Sequence, residues 1–112
     1  MTISEREQNG IVVISLEGNM IGGPGATLLS EKLREHLKTD RKQFVLNMSQ
    51  IEWMNSSGLG ILMGGLTTVR QNGGNLKLAH VTDKIQELLR ITKLNRIFDV
   101  FSDEAEAIES FS

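Results

Sequence analysis

The chain has no cysteine among its 112 residues. That absence excludes disulfides, thiol catalysis and cysteine-based zinc sites together. Aromatic residues make up only 4% of the sequence, which leaves few stacking platforms for bases. Net charge is −2, so there is no electrostatic footprint for nucleic acid or for an anionic membrane. Long apolar runs are missing too. The longest mostly apolar stretch, Leu59 to Leu66, falls far short of the roughly 20 residues that span a bilayer. The N-terminus, "MTISEREQNG", is charged and lacks the apolar core of a signal peptide. A reducing, cytoplasmic setting is the expectation. Two histidines, His36 and His80, without cysteine or a tight carboxylate cluster argue against a metal site, and no cofactor is expected.

What is present reads as an ordinary globular protein, with 39% apolar and 23% charged residues. The length suits one core, no internal repeat or linker interrupts it, and one domain over residues 1–112 is expected. "IVVISLEG" (Ile11 to Gly18) is rich in β-branched residues and predicts a strand. The Asn9-Gly10 pair before it signals a tight hairpin, which makes Thr2 to Gln8 an antiparallel first strand. The only proline, Pro24, suits a helix entry. From Ala26, apolar residues at Leu29, Leu33 and Leu37 keep helical spacing to about Lys38, with His36 on the solvent side. "QFVLNMS" (Gln43 to Ser49) predicts a strand buried on both faces. Trp53 to Ser57 reads as a connection, followed by a glycine-rich helix from Gly58 to about Gln71. Asn72-Gly73-Gly74 stops that helix with a left-handed cap. "NLKLAHV" (Asn75 to Val81) alternates, placing Leu76, Leu78 and His80 on one face. Thr82 or Asp83 then caps a helix through Ile91 that faces the core with Ile85, Leu88 and Leu89. "RIFDVF" reads as a short edge strand, and Asp103 to Ser110 as a short acidic helix. Strands alternating with helices imply an α/β fold: a mixed sheet of four to five strands, with about four helices packed against it.

The stretch "WMNSSGLGILMGG" (Trp53 to Gly65) is the unusual one. Asn55, Ser56 and Ser57 are all good N-cap residues, and a helix N-terminus presents unpaired amides and partial positive charge. Capping does not explain four glycines, each of which weakens a helix by roughly 0.8–1 kcal/mol relative to alanine. Gly60 and Gly64 lie four apart on one face, and Gly58 and Gly65 are expected to extend a smooth patch. Such a patch admits another backbone closely, either this protein's own sheet or a partner. Catalytic readings are weak. There is no G-x-S-x-G elbow and no G-x-x-x-x-G-K-[ST], and Met63 breaks G-x-G-x-x-G. His80, ending a strand, reads as structural. "IGGPG" offers Gly22 and Gly23 as a second backbone-rich rim, and Met20, Met54 and Met63 as either adaptable contacts or core filling.

The run "FVLNMSQIEWMNSSGLGILMGG…NGGNLKLAHVTDKIQELLRITKLNRIFDVF" resembles the STAS domain, and more narrowly the single-domain bacterial anti-sigma-factor antagonists. In that family a strand with "D-x-S" leads to "M-D-S-[ST]-G-L-G", and the likeness extends over roughly Ile11 to Phe111. The resemblance implies the STAS fold and a partner switch. Its first serine, Ser56 here, is phosphorylated by an anti-sigma factor with serine kinase activity. The unmodified antagonist binds that partner, the phosphorylated one releases it, and a serine phosphatase resets it. The implied docking surface is Asn55, Ser57, Gly58, Leu59, Gly60 and Met63, with Gly22 and Gly23. The chain would then be a substrate and not an enzyme, with no nucleic-acid or membrane partner. It departs from the family in carrying Asn47 and Asn55 in place of acids, and "NMIGGPGA" where an acidic residue is usual. The alternative is a constitutive scaffold or adaptor subunit using the same face without phosphorylation.

Overall fold

The computed structural model describes residues 2–20 and 24–111, with side chains of the second stretch from Thr27 onward. β1 (Thr2–Gln8) and β2 (Ile11–Met20) form the antiparallel hairpin, joined by Asn9 and Gly10 at φ 55° and 78°. Two successive positive φ values are what a two-residue turn of matching twist requires. α1 (Pro24–Lys38), β3 (Gln43–Met54), α2 (Ser56–Gln71), β4 (Asn75–Ala79), α3 (Asp83–Ile91), a short 3₁₀ turn (Leu94–Arg96), β5 (Val100–Phe101) and α4 (Glu104–Glu109) follow. The sheet order is β1-β2-β3-β4-β5, and every pair after the first is parallel. The expected mixed sheet with four helices is the observed fold.

Register explains why the central strands carry so little polarity. Val12, Phe44 and Leu76 form one row across β2, β3 and β4, and Ile14, Leu46 and Leu78 form the next. These rows face α1, α2 and α3 and build the main core with Leu29, Leu33, Leu62, Leu66, Ile85 and Leu89. The intervening row, Val13–Val45–Lys77, faces α4 and packs with Ala107 and Ile108. Both faces of the sheet are thus covered there, as parallel strands require. Lys77 is consequently buried although it alternates with Leu76 and Leu78. Its ammonium donates to Ser110 Oγ at 2.7 Å and sits 4.1 Å from the centre of the Phe111 ring. β1 is an edge strand, and its charges blunt that edge. Glu5 and Glu7 meet His36 and Arg41 on the α1 side, and Arg6 meets Glu104 on the α4 side.

Four expectations need correction. β3 does not end near Ser49; it runs to Met54, and beyond Asn47, where its pairing with β4 stops, it pairs with β2 alone, the β2–β3 ladder carrying two register shifts. α2 begins at Ser56, two residues earlier than expected, because Asn55 is the residue that caps it. β4 stops at Ala79, and His80 turns away with φ 55° and does not continue the Leu76–Leu78 face. His36 is half-buried, with Nε2 3.1 Å from Glu5 Oε2 and its ring edge against Phe44.

Candidate functional site

The carboxyl ends of β2 and β3 converge on the first turn of α2, where sheets of this kind place their functional loops. Asn55 adopts an extended conformation (φ −110°, ψ −170°), and its Oδ1 accepts the Gly58 amide at 2.9 Å. Its own N–H reaches the Met20 carbonyl at 3.4 Å. Ser56 and Ser57 then occupy the first two helical positions. Their amides have no intrahelical acceptor by construction, and no acidic residue in this turn answers the positive end of the helix. Both side chains are exposed. A hydroxyl at Ser56 is therefore open to solvent beside unsatisfied donors that favour negative charge.

The four glycines separate into two kinds. A Cβ on Gly58 would stand 1.9 Å from the Met20 carbonyl oxygen and 3.0 Å from Met54 Cβ. A Cβ on Gly65 would stand 3.1 Å from Leu33 Cδ1. These two permit close internal packing: of the two bodies expected against the glycine patch, it is this protein's own sheet and α1 that approach Gly58 and Gly65. Gly60 and Gly64 are different: a Cβ on either meets nothing within 4 Å. They floor an open groove of about 200 Å³ between α1 and α2, rimmed by Ser30, Arg34 and Thr68. Leu59, expected on the surface, is 8% exposed and belongs to the core. Met20 and Met54 are core as well, and Met63 is half-buried against it. The structure thus gathers Asn55, Ser56, Ser57 and Gly60 at or near the surface and sets Gly58 and Leu59 directly behind them. Gly22 and Gly23 lie outside the described residues.

The sequence did not reveal what Asn47 does. Its Nδ2 donates to Glu104 Oε2 at 2.6 Å, and its Oδ1 accepts the Ser49 amide at 2.9 Å. Arg6 holds the other oxygen of Glu104 at 2.6 Å. Asparagine supplies a donor here where a carboxylate would confront Glu104. The Arg6 hydrogen bond holds the Glu104 carboxyl below its usual range; partial burial opposes this, and the Asn47 amide adds to it. A carboxyl whose folded pKa is depressed contributes stability above its unfolded pKa and loses it as pH falls through the folded value. Asn47→Asp reverses that trend. Two carboxylates within hydrogen-bond distance resist joint ionisation, so the variant should lose roughly 1–3 kcal/mol at pH 7. It should regain part of this as pH falls below neutrality and the pair takes up a shared proton. Urea melts of both proteins across that range check the prediction; parallel pH profiles would refute it.

Comparison with known proteins adds the family. The model of the STAS domain matches residues 2–107. The anti-sigma F factor antagonist of Paenibacillus polymyxa is 21% identical over 108 residues, covering 96% of this chain and 92% of that one. A crystal structure from Thermotoga maritima superposes with a TM-score of 0.87 at 20% identity, covering 96% of this chain and 92% of its own. The phosphorylated form of SpoIIAA, a Bacillus cell fate determinant, superposes at 0.74 with 18% identity, covering 99% and 100% of the two chains. With a five-stranded mixed sheet, a serine pair opening α2 and a match over nearly its whole length, the chain belongs to the STAS domain family.

Proposed function

We propose that the chain is an anti-sigma-factor antagonist in a phosphorylation-controlled partner switch. Unmodified, it binds an anti-sigma factor that is also a serine kinase; phosphorylated at Ser56, it lets go, and a serine phosphatase restores it. The observation that carries this reading is the exposed Ser56 at the first position of α2, beside the open backbone at Gly60. The antagonist part of this reading is supported by the relative from P. polymyxa, which is named an anti-sigma F factor antagonist. The phosphorylation part is supported by the occurrence of the same fold in a phosphorylated protein. The phosphate would sit at a helix terminus that already favours an anion, so the fold tolerates it. The chain is then a substrate and not a catalyst, and it acts in the cytoplasm. Among the described residues, no helix is long and apolar enough to cross a membrane.

A second reading has one observation in its favour. Residues 47 and 55 are amides and not acids, engaged with Glu104 and in capping, and the first turn of α2 contains no acidic residue. A constitutive scaffold that docks through the same face without phosphorylation fits that feature. The two readings part on phosphate. Incubated with lysate of its own cells and labelled Mg-ATP, the wild-type chain should take up label. Ser57→Ala should take it up as well, and Ser56→Ala should not. Equal labelling of Ser56→Ala would remove Ser56 as the acceptor, and an unlabelled wild type with a stably retained partner would favour the scaffold.

A further inference from the structure

The surface around Ser56 has a switch but little to grip. Ser57, Gly60 and Gly64 contribute almost no side-chain area, while the affinity of protein interfaces comes mainly from a few large, well-packed anchors, tryptophan foremost. Such an anchor stands three residues away. Trp53, the sole tryptophan, is 45% exposed at the end of β3. It lines a cleft of about 170 Å³ with Leu88 and Ile91 of α3, and Ile91 is 63% exposed. Lys84 and Glu87 form its charged rim. A scattered apolar side chain on a surface is ordinary, but apolar residues from two elements lining one cleft are not scattered. The cleft is smaller than the roughly 300 Å³ at which pockets for small-molecule ligands begin, which suits an inserted side chain better than a cofactor.

We infer that the protein partner covering unmodified Ser56 anchors on this cleft, inserting an apolar side chain between Trp53 and the Leu88–Ile91 ridge. The inference rests on the proposed docking at Ser56, and two arguments connect the sites. Three residues of extended chain span at most about 11 Å. A standard interface removes about 800 Å² from each partner, a patch roughly 16 Å in radius, so Trp53 lies within reach of one centred on Ser56. The second argument is composition. Of the four phenylalanines, Phe44 and Phe98 are in the main core, and Phe101 and Phe111 pack beneath α4. Trp53 is therefore the one aromatic residue that stands at the surface near the switch.

The test uses the partner recovered with the wild-type chain from its own cells, then expressed and purified. Trp53 is its own probe. Its fluorescence should shift to the blue when a partner lacking tryptophan at the interface, or one with its tryptophans replaced by phenylalanine, is added. Trp53→Ala should weaken binding by about thirtyfold or more, Ile91→Ser by about three- to tenfold, and Trp53→Phe by less than about threefold. Ile91→Ser alters an exposed position and guards against a folding artefact, and thermal melts of all variants complete that control. Unchanged emission with wild-type affinity in Trp53→Ala and Ile91→Ser overturns the inference and leaves the switch standing. Loss of affinity in these variants, with no effect of phosphate at Ser56, supports the anchor and overturns the switch. Wild-type chain that dimerises in sedimentation, and becomes monomeric as Trp53→Ala, assigns the cleft to self-association and overturns the inference.

Discussion

Phosphorylated at Ser56, the chain is expected to bind its partner at least about a hundredfold more weakly than the unmodified chain, while its own fold stays intact. The asymmetry comes from where the charge sits. Phosphate adds about −1.5 to −2 charges at neutral pH. Within the chain, that charge lies at the mouth of α2, where the Ser56 and Ser57 amides lack intrahelical acceptors and no first-turn acid competes. A charge at a helix N-terminus contributes roughly 0.3–1 kcal/mol of stability, so melting should shift upward slightly or not at all. Across a closely packed interface, the same charge must shed its water against a surface shaped for a hydroxyl. About 3 kcal/mol of lost affinity is enough for a change of more than a hundredfold. Calorimetric titration of one purified partner with both forms measures it directly. Ser56→Asp should show a smaller loss, because it carries less charge and a different geometry. Affinities of the two forms within about threefold would end the switch, however well Ser56 is labelled.

Parts of the fold and of the site were legible in the sequence because their physics is local. Asn9-Gly10 dictates its turn, the cap of α3 narrows to Thr82 or Asp83 and proves to be Thr82, and the serine pair announces a helix mouth. β3 shows where local reasoning stops. Its first half carries Phe44, Val45 and Leu46 as a solid buried run. In its second half the buried residues are Met48, Ile51 and Met54, three apart. Strands announce themselves by alternation, and the register shifts between β2 and β3 break that period, so the strand's extension to Met54 was invisible. This extension carries Trp53 to the surface beside α3. The partnership of Asn47 with Glu104 was hidden differently. It joins residues 57 positions apart, and only the docking of α4 brings the carboxylate to the amide. Within this fold an amide at position 47 suits Glu104, to which it donates a hydrogen bond. At position 55, asparagine simply retains the capping oxygen.

The glycines give the sharpest separation of fold from function. Gly58→Ala should destabilise the chain by about 3 kcal/mol, while Gly60→Ala and Gly64→Ala should each stabilise it by roughly 0.5–1 kcal/mol. Alanine is the better helix former at all three positions, so propensity alone predicts a gain each time. At Gly58 the added methyl meets the Met20 carbonyl oxygen at 1.9 Å and the carbonyl carbon at 2.9 Å. Backbone cannot rotate aside as a flexible side chain would, so α2 must pull away from β2. The displaced amide is also the one that Asn55 caps, and losing that bond adds about 1 kcal/mol. In a domain of this size the loss lowers the melting temperature by roughly 10–20 °C. At Gly60 and Gly64 the methyl enters open space, so only the propensity gain remains. Three thermal melts decide the stability question, and a Gly58→Ala protein melting with the wild type would refute the close approach of β2 and α2. Binding decides the rest. Gly60 costs helix stability although a Cβ there would meet nothing within 4 Å, and the proposed docking supplies the contact that would favour bare backbone. Gly60→Ala should therefore melt higher than the wild type and bind the partner more weakly. If it gains stability and keeps full affinity, the bare backbone at Gly60 plays no part in docking, and the interface must lie toward Ser56 and Trp53 alone.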